Sequence, residues 1–261
     1  MNKRLISILI VLLFLVTFGA CAHKEKDRGE ADFFMKLGIS NLVSQECTEA
    51  LRYLLEAEKR YADDPELQNS LGLAYFCRQE NELAIEAFRK AVELKPEFSD
   101  AYNNLGAAYA AAGRYDEAIE AFDKALADLL YKTPERAWLN RGDAFAARFD
   151  TRNALASYER SISLAMPKPQ SRDVVCVAHS RVGAIHMREQ QYTQAVRSLN
   201  NAIRLCPKYA DPYAQLSNAY MRLGKRQEAV DACAKVRKLA PDSRDAEACE
   251  QVMNYLRGQR S

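Results

Sequence analysis

The sequence lacks the short motifs that mark the commonest catalytic sites. It has no glycine-rich phosphate loop, no G-x-S-x-G turn and no repeated cluster of metal-ligand residue types. Carboxylates are abundant, but those of Glu80, Glu82 and Glu86 fall at positions expected to face solvent on a helix. These absences predict a protein that is not an enzyme and that uses no cofactor and no small-molecule substrate.

Neither sign of charge dominates the composition. The 37 Lys and Arg residues nearly balance the 35 Asp and Glu residues, and removal of a leader containing Lys3 and Arg4 would make the two numbers equal. Proteins that bind nucleic acid usually present a basic face. The balance therefore predicts no nucleic-acid partner, and no polybasic patch for holding a membrane.

A short apolar run lies near the N-terminus. Lys3 and Arg4 precede residues 5–18, which are apolar apart from Ser7 and Thr17. The run is too short to cross about 30 Å of hydrocarbon, for which roughly 20 residues are needed. Its proportions predict a secretory signal peptide over residues 1–20.

The run ends in Phe18-Gly19-Ala20-Cys21, which resembles the bacterial lipobox with Phe where Leu is usual. The resemblance implies cleavage before Cys21 and lipidation of that cysteine. Because Ala22 is not Asp, it also implies sorting to the outer membrane, with the protein facing the periplasm and held through the N-terminal lipid. Residues 21–30 would be the lipidated cysteine and a charged tether. An uncleaved anchor and a soluble secreted form are the alternatives.

One pattern recurs six times between residues 31 and 241, in copies that begin at residues 31, 65, 99, 135, 176 and 210. We number each position, or place, from the start of its copy. Place eight is small: Gly38, Gly72, Gly106, Gly142, Gly183 and Ser217. Place twenty is always Ala: Ala50, Ala84, Ala118, Ala154, Ala195 and Ala229. Places eleven and twenty-four are mostly large. These anchors resemble the tetratricopeptide repeat, a helix pair with a period of about 34 residues.

Each anchor has a physical role. Small residues let the two antiparallel helices of a repeat approach closely, and large residues fill the remaining gaps. One pair cannot bury its apolar face alone, so neighbouring pairs stack. The resemblance implies an all-α, right-handed superhelical solenoid of six tetratricopeptide repeats, and an unrelated helical bundle is the alternative. The expected repeats are 31–64, 65–98, 99–134, 135–175, 176–209 and 210–241, followed by a capping helix and tail over 242–261.

The copies are not evenly spaced, which locates two insertions. The first lengthens the link at residues 130–134, and the second covers residues 167–175, where Pro167 and Pro169 are expected to block a helix. Insertions in such arrays map to loops between helices.

Six cysteines lie within the repeats and the capping helix of a chain that we expect to be exported to an oxidising space. In a stack, the second helix of one repeat runs antiparallel to the first helix of the next, so the place numbers of contacting residues have a nearly constant sum. Two pairs satisfy this rule, and a third pair lies at the two ends of one antiparallel helix pair. The predicted disulfides are Cys47–Cys77, Cys233–Cys249 and Cys176–Cys206. Buried free thiols are the alternative.

Cys176, His179 and His186 would share one face of a helix, a spacing at which metal ligands can converge. However, the two histidines occupy places four and eleven, where the repeat needs a bulky ring for packing. We therefore favour a packing role and predict no metal site.

The first helices of tetratricopeptide repeats line a concave face, with places two, five, nine, twelve and thirteen pointing inward. The candidate groove residues are Asn69, Leu73, Phe76, Asn103, Ala107, Ala110, Arg136, Leu139, Asp143, Ser180, Arg188, Asn218 and Arg222. Small and apolar residues suit an extended or helical peptide, or they only permit tight curvature. The arginines would select an acidic segment, or they are solvated rim residues.

The whole layout resembles the type IV pilus biogenesis lipoproteins called PilF or PilW. That family also lengthens the third junction, with a segment similar to L-Y-P-E-R, then an aromatic residue and N-x-G. This chain reads Leu130-Tyr131-Lys132-Thr133-Pro134-Glu135-Arg136, then Trp138 and Asn140-Arg141-Gly142. It departs from the family in its six cysteines and its proline insertion.

The resemblance implies a pilotin, a non-catalytic lipoprotein that binds the secretin subunit and brings it to the outer membrane for channel assembly. This is the leading hypothesis, with secretin or another pilus component as the protein partner. A general envelope scaffold for another exporter and an accessory that recruits a cell-wall hydrolase are the alternatives.

Overall fold

The structure, a computed structural model, describes residues 27–258, with side chains to residue 256. The expected signal peptide, Cys21, the first part of the tether and residues 259–261 lie outside the described residues. Those described form thirteen α-helices and no strand. The helices are α1 (27–43), α2 (Cys47–Glu58), α3 (Pro65–Cys77), α4 (Asn81–Leu94), α5 (Ser99–Ala111), α6 (Tyr115–Ala127), α7 (Pro134–Ala147), α8 (Thr151–Ala165), α9 (Arg172–Arg188), α10 (Tyr192–Leu205), α11 (Asp211–Arg222), α12 (Arg226–Leu239) and α13 (Arg244–Gly258).

The first helix begins before the first repeat was expected to start. The predicted tether reaches residue 30, but α1 already begins at residue 27. Arg60 Nε donates to Glu30 Oε2 at 3.1 Å, and the Arg28 guanidinium lies 5.2 Å from the centre of the Tyr61 ring. These contacts hold the first turn of α1, and a charged segment without apolar periodicity does not reveal them.

The chain divides into two compact units, one ending at Arg114 and the other beginning at Tyr115. In the first unit, α2 packs on α3, α3 on α4 and α4 on α5, and α3 also contacts α5. The contact between α3 and α5 joins the first helices of two successive repeats. The apolar core around α1 to α3 consists of Ala31, Ala50, Leu54, Ala57, Leu67, Leu71, Ala74 and Ala87.

The second unit continues the alternation from α6 to α13. Each helix packs on the next. A short 3-10 turn at Pro169–Ser171 connects α8 to α9. The first helices α7, α9 and α11 also contact one another in order, and α13 contacts α11 as well as α12. The last helix therefore occupies the position of a seventh first helix, as expected of a cap.

The small residue at place eight meets the large residue at place twenty-four, as the repeat pattern predicts. A Cβ added to Gly72 would lie 2.5 Å from ring carbons of Phe88, and one added to Gly142 would lie 2.5 Å from the Tyr158 ring. Atoms cannot approach so closely, so only glycine allows these helix pairs to form without displacement. In the sixth repeat, Ser217 stands in for glycine and its Oγ lies 3.1 Å from Cys233 Sγ.

Every repeat turns between its two helices through a left-handed residue at place fifteen, which the sequence pattern did not predict. These residues are Gln45, Gln79, Gly113, Phe149, Gln190 and Gly224, with φ between 60° and 77°. In each turn, the N–H of place sixteen donates to the carbonyl oxygen of place eleven at 2.8 to 3.0 Å. This is the Schellman arrangement that ends many helices. Four of the six turns use a residue that lacks the conformational freedom of glycine.

A buried carboxylate, that of Glu135, directly follows the lengthened third junction. Only 2 % of the Glu135 side chain is exposed, yet Lys168 Nζ donates to its Oε2 at 2.8 Å and Ser171 Oγ donates to its Oε1 at 2.8 Å. Ser161 Oγ donates to the Glu135 carbonyl oxygen at 2.7 Å. Burial alone would raise the pKa of Glu135, but the bonds from Lys168 and Ser171 outweigh it and hold the pKa below its usual value.

The second insertion is more helical than predicted. Residues 167–175 were expected to stay outside helix, but α9 begins at Arg172, directly after the 3-10 turn. Val174 and Val175 explain the early start, because both are buried against Ala165 and contact Leu139 and Leu205. The insertion therefore adds one turn to α9 and supplies both donors to Glu135.

None of the helices in the described part of the chain is long and apolar enough to span a membrane.

Candidate partner-binding groove

An open apolar groove lies between α1 and α3 in the first unit. Its walls are formed by Ile39, Leu42 and Val43 from α1 and by Leu73, Phe76 and Cys77 from α3, around a volume of about 460 Å³. Val43 is 81 % exposed and Ile39 is 39 % exposed. Large apolar side chains that lie together and remain exposed usually mark a binding surface.

The repeat frame explains why these side chains face one another. The three residues from α1 occupy places nine, twelve and thirteen, and the three from α3 occupy the same places in the next repeat. Residues three and four apart share one face of a helix. Two successive first helices therefore present matching apolar stripes side by side.

Two of the six residues that form the groove walls were predicted from the sequence. Leu73 and Phe76 were among the predicted residues, whereas Ile39, Leu42 and Val43 were not. The same places in the first repeat would have identified them. In that repeat, Asn41 occupies the usually aromatic place eleven, where its Nδ2 donates to the Leu37 carbonyl oxygen at 2.8 Å.

The other predicted residues of the first unit lie on α3 and α5. Asn69 accepts a hydrogen bond from Asn104 Nδ2 at 3.0 Å, which ties the two first helices together. Asn103, Ala107 and Ala110 are partly exposed.

In the second unit, several predicted groove residues are engaged in internal contacts. Ser180 is fully buried, where its Oγ donates to Asp211 Oδ2 at 2.6 Å and accepts from Gln215 Nε2 at 3.0 Å. Its assignment to the accessible face was wrong, because the side chains of α11 cover it. Leu139 is partly buried against Val174 and Val175.

Asp143 serves the packing between α7, α8 and α9. Its Oδ1 accepts from Tyr158 Oη at 2.7 Å and from Arg181 Nε at 3.0 Å. Burial raises the pKa of Tyr158, and the neighbouring carboxylate raises it further. The Tyr158 hydroxyl therefore stays protonated and remains a donor to Asp143.

The predicted arginines differ in their environments. Arg136 pairs with Asp173 at 3.3 Å, and Arg188 donates to the Ala146 carbonyl oxygen and to Thr151 while lying over the exposed Phe149 ring. Arg222 and its neighbour Asn218 are exposed. The partners of Arg136 and Arg188 weaken the argument for an acidic binding segment on this face.

Cys176, His179 and His186 do not come together as a set of metal ligands. No group of His, Cys, Asp and Glu in the part of the chain that the structure describes could hold a metal ion. Cys176 is bonded to Cys206. Burial lowers the pKa of His179, and Arg204 lowers it further, while His186 Nδ1 lies 2.8 Å from Gln191 Oε1. Both histidines therefore pack within the repeat.

The six cysteines of the described residues form the three pairs that the place numbers predict. The Cα–Cα distances are 5.8 Å for Cys47–Cys77, 6.1 Å for Cys176–Cys206 and 5.0 Å for Cys233–Cys249. The first pair borders the apolar groove, because Cys77 follows Phe76 in its wall. The third joins α12 to α13.

Comparison with known proteins supports the repeat assignment. Family models described as TPR repeat or tetratricopeptide repeat match residues 72–113, 99–128, 183–224 and 210–243. The whole of the first repeat and the whole of the fourth lie outside these matches, but their chains also form helix pairs in the structure. None of the curated proteins matches the sequence.

Solved structures show the same fold over most of the chain. PilW, described as a widely conserved type IV pilus biogenesis factor, is 24 % identical, with a TM-score of 0.73 over 84 % of this chain and 97 % of its own. PilF of Pseudomonas aeruginosa is 19 % identical, with a TM-score of 0.69 over 87 % of this chain and 98 % of its own. The Cut9–Hcn1 complex gives 18 % identity and a TM-score of 0.71 over 85 % of this chain, but only 42 % of its own.

These matches establish an all-α tetratricopeptide-repeat fold. Similarity in fold alone does not separate PilW from Cut9, since their TM-scores nearly coincide. Coverage does separate them, because PilW and PilF have the extent of this chain and Cut9 is much longer.

Proposed function

We propose that this array of tetratricopeptide repeats is a non-catalytic outer-membrane lipoprotein that binds a protein partner in type IV pilus biogenesis and assists localisation and assembly of the secretin. The open apolar groove between α1 and α3 is the observation that carries the binding part of the proposal. The lipobox-like Cys21 and the third junction support the rest, together with the matching extent of PilW and PilF.

The groove fits an amphipathic helix better than a charged tail. Its exposed walls are aliphatic and aromatic, and the described residues that line it include no charged side chain. A partner helix with apolar residues at i, i+3, i+4 and i+7 could bury Val43, Ile39 and Phe76 together. Burial of exposed apolar side chains is the main source of free energy in such a contact.

The lipid and the groove have separate tasks in this proposal. Acyl chains on Cys21 would hold the protein at the outer membrane, and the repeats would recognise the partner. No bond in the partner is made or broken, so the expected phenotype is a defect in assembly.

Substitution of Val43 by Asp tests the groove. Because Val43 is 81 % exposed, the change should leave folding intact. A charge in the groove should weaken partner binding by at least tenfold, since an unpaired carboxylate would have to be desolvated. We expect fewer secretin multimers, measured by gel electrophoresis of membranes, and fewer surface pili.

Leu83→Asp provides the matched control. Leu83 is 44 % exposed on α4, a second helix, and does not line the groove. The Leu83→Asp substitution should leave the amount of secretin multimers unchanged. Normal multimers in Val43→Asp cells would contradict the groove assignment, and normal multimers in a deletion strain would contradict the pilus proposal and favour another envelope complex.

A further inference from the structure

The Cys47–Cys77 disulfide is more accessible to solvent than the other two. Cys77 is exposed and Cys47 is partly exposed. In contrast, Cys176 is 1 % exposed, Cys233 is 0 % exposed and Cys249 is 4 % exposed, and Cys206 is only partly exposed. A thiolate must reach a sulfur atom to exchange with a disulfide. A soluble dithiol should therefore reduce Cys47–Cys77 first.

This disulfide also lies where it can control the groove. It joins the first residue of α2 to the last residue of α3. Only residues 44–46 separate α2 from the end of α1, where Leu42 and Val43 lie. The bond therefore fixes the ends of α1 and α3 relative to each other, beside Phe76 and Cys77 of the opposite wall.

Few other contacts reinforce this end of the groove. Arg78 Nη1 donates to Thr48 Oγ1 at 2.7 Å across the same two turns, but both side chains are exposed. A solvated hydrogen bond contributes little net free energy. The apolar core around Leu54, Leu67 and Leu71 reaches this end only through the partly buried Leu42 of α1 and Tyr75 of α3.

We propose that the Cys47–Cys77 disulfide is a positioning element of the partner groove, which holds α1 and α3 at the spacing that receives a partner helix. This inference rests on the proposed function of the groove. Without the bond, the two helix ends sample wider separations, and only a fraction of molecules can bind. The apparent dissociation constant rises by the inverse of that fraction.

The disulfide can be opened chemically, by reduction with dithiothreitol, as well as by substitution of its cysteines. One thiolate of dithiothreitol attacks the exposed Cys77 sulfur and forms a mixed disulfide, which releases the Cys47 thiolate. The second thiol of the reagent then closes its own disulfide ring and releases Cys77. The reagent is oxidised by two electrons, and Cys47 and Cys77 each gain a proton.

Binding should be measured with a defined probe, a fluorescein-labelled amphipathic helix of 18 residues built from leucine and glutamine, by fluorescence polarisation on the purified lipid-free chain. Val43→Asp first establishes that the peptide occupies the groove. The Cys47→Ala/Cys77→Ala double variant should then bind on the order of tenfold more weakly. Cys176→Ala/Cys206→Ala, which removes a disulfide of equal span in the other unit, should bind like the wild type.

Dithiothreitol titration of the wild type gives the second measurement. Alkylation and mass mapping should show Cys47 and Cys77 free first, with loss of binding in parallel. Bridging the two reduced thiols with dibromobimane should restore binding, because the span is again closed. The measurements should be made at temperatures where circular dichroism shows that the reduced protein stays folded. If the bond only stabilised the fold, reduction would then cause no loss of binding, and bridging would have nothing to restore.

The outcomes separate the two claims. Equal affinity of the wild type and Cys47→Ala/Cys77→Ala, with binding lost in Val43→Asp, overturns the positioning role and leaves the groove intact. Unchanged binding in Val43→Asp overturns the groove as the binding site, and the positioning role with it.

Discussion

At the scale of single residues, close packing explains most of what the repeat anchors do. Gly72 and Gly142 allow aromatic rings at Phe88 and Tyr158 to pass over a helix backbone. Both aromatic side chains are almost completely buried, at 0 % and 1 % exposure. The anchors are therefore steric requirements, and a single methyl group suffices to test them.

Gly72→Ala should lower the free energy of unfolding by about 1–3 kcal/mol, because the new Cβ would meet the Phe88 ring. Urea unfolding followed by circular dichroism measures the change. Gly29→Ala is the control, since its Cβ would meet nothing within 4 Å in α1. That substitution should stabilise the helix by up to about 1 kcal/mol. Equal effects at the two sites would contradict the steric explanation.

The buried Glu135 carboxylate gives a second prediction at this scale. Lys168→Met should cost about 2 kcal/mol at pH 7, because it leaves a buried charge without its partner. The figure is below that for fully buried pairs, since Lys168 is 32 % exposed. Adding Glu135→Gln to Lys168→Met should recover part of the loss.

The same pair predicts a dependence on pH. The pKa of Glu135 is lower in the folded state than its ordinary value of 4.5. Its contribution to stability is therefore fully present above pH 4.5 and is lost as the pH falls through the lower, folded-state pKa. The difference between wild type and Lys168→Met should shrink below about pH 4.5, as measured by urea unfolding at each pH. A constant difference down to pH 3 would contradict the assignment.

At the scale of helices, the sequence predicted pairing better than boundaries. Places counted from repeat starts located all three disulfides. They missed the extra turns of α1 and α9, because these depend on contacts such as Glu30 with Arg60 and Val175 with Leu139. Such contacts form between segments that no repeat anchor connects.

The groove shows a similar limit. Leu73 and Phe76 could be predicted from their places, whereas burial of Ser180 depends on Asp211 and Gln215 of another helix. A helical repeat fixes the direction of each side chain, but its neighbours decide whether it stays accessible. The left-handed backbone conformation at place fifteen could not be predicted from the sequence, because glycine, the usual residue in that conformation, is present only at Gly113 and Gly224.

Removing the last disulfide should loosen the cap. In Cys233→Ala/Cys249→Ala, α13 would keep the apolar contacts around Val236, Ala246 and Met253, including those with Tyr213 and Ala214 of α11. We expect a loss of about 2–4 kcal/mol in the local free energy of opening. Amide hydrogen exchange should therefore accelerate in α13 while α7 and α8 remain protected. Unchanged exchange in α13 would contradict a stabilising role for the bond.

At the scale of the whole molecule, the proposed function assigns attachment and recognition to different parts of the chain. Cys21 lies outside the described residues, and the groove is built entirely within α1 and α3. We therefore expect Cys21→Ser to release the protein from the membrane fraction without changing its partners. In-cell crosslinking followed by mass spectrometry would measure both.

Cys21→Ser and Val43→Asp should have opposite effects on membrane attachment and on partner binding. Cys21→Ser should give a soluble envelope protein that still crosslinks to the wild-type partner, whereas Val43→Asp should stay with membranes and lose that partner. Retention of Cys21→Ser in the membrane fraction would contradict lipid anchoring. Loss of the partner in Cys21→Ser would indicate that the membrane itself takes part in recognition.

The order of the disulfides along the chain has a consequence for how an exported chain would mature. The six cysteines of the described residues pair as neighbours in sequence: Cys47 with Cys77, Cys176 with Cys206 and Cys233 with Cys249. A chain that enters an oxidising compartment N-terminus first would meet each correct partner before the next pair arrives. An oxidase that joins cysteines in order of appearance would thus produce the native pattern, and a disulfide isomerase would be dispensable.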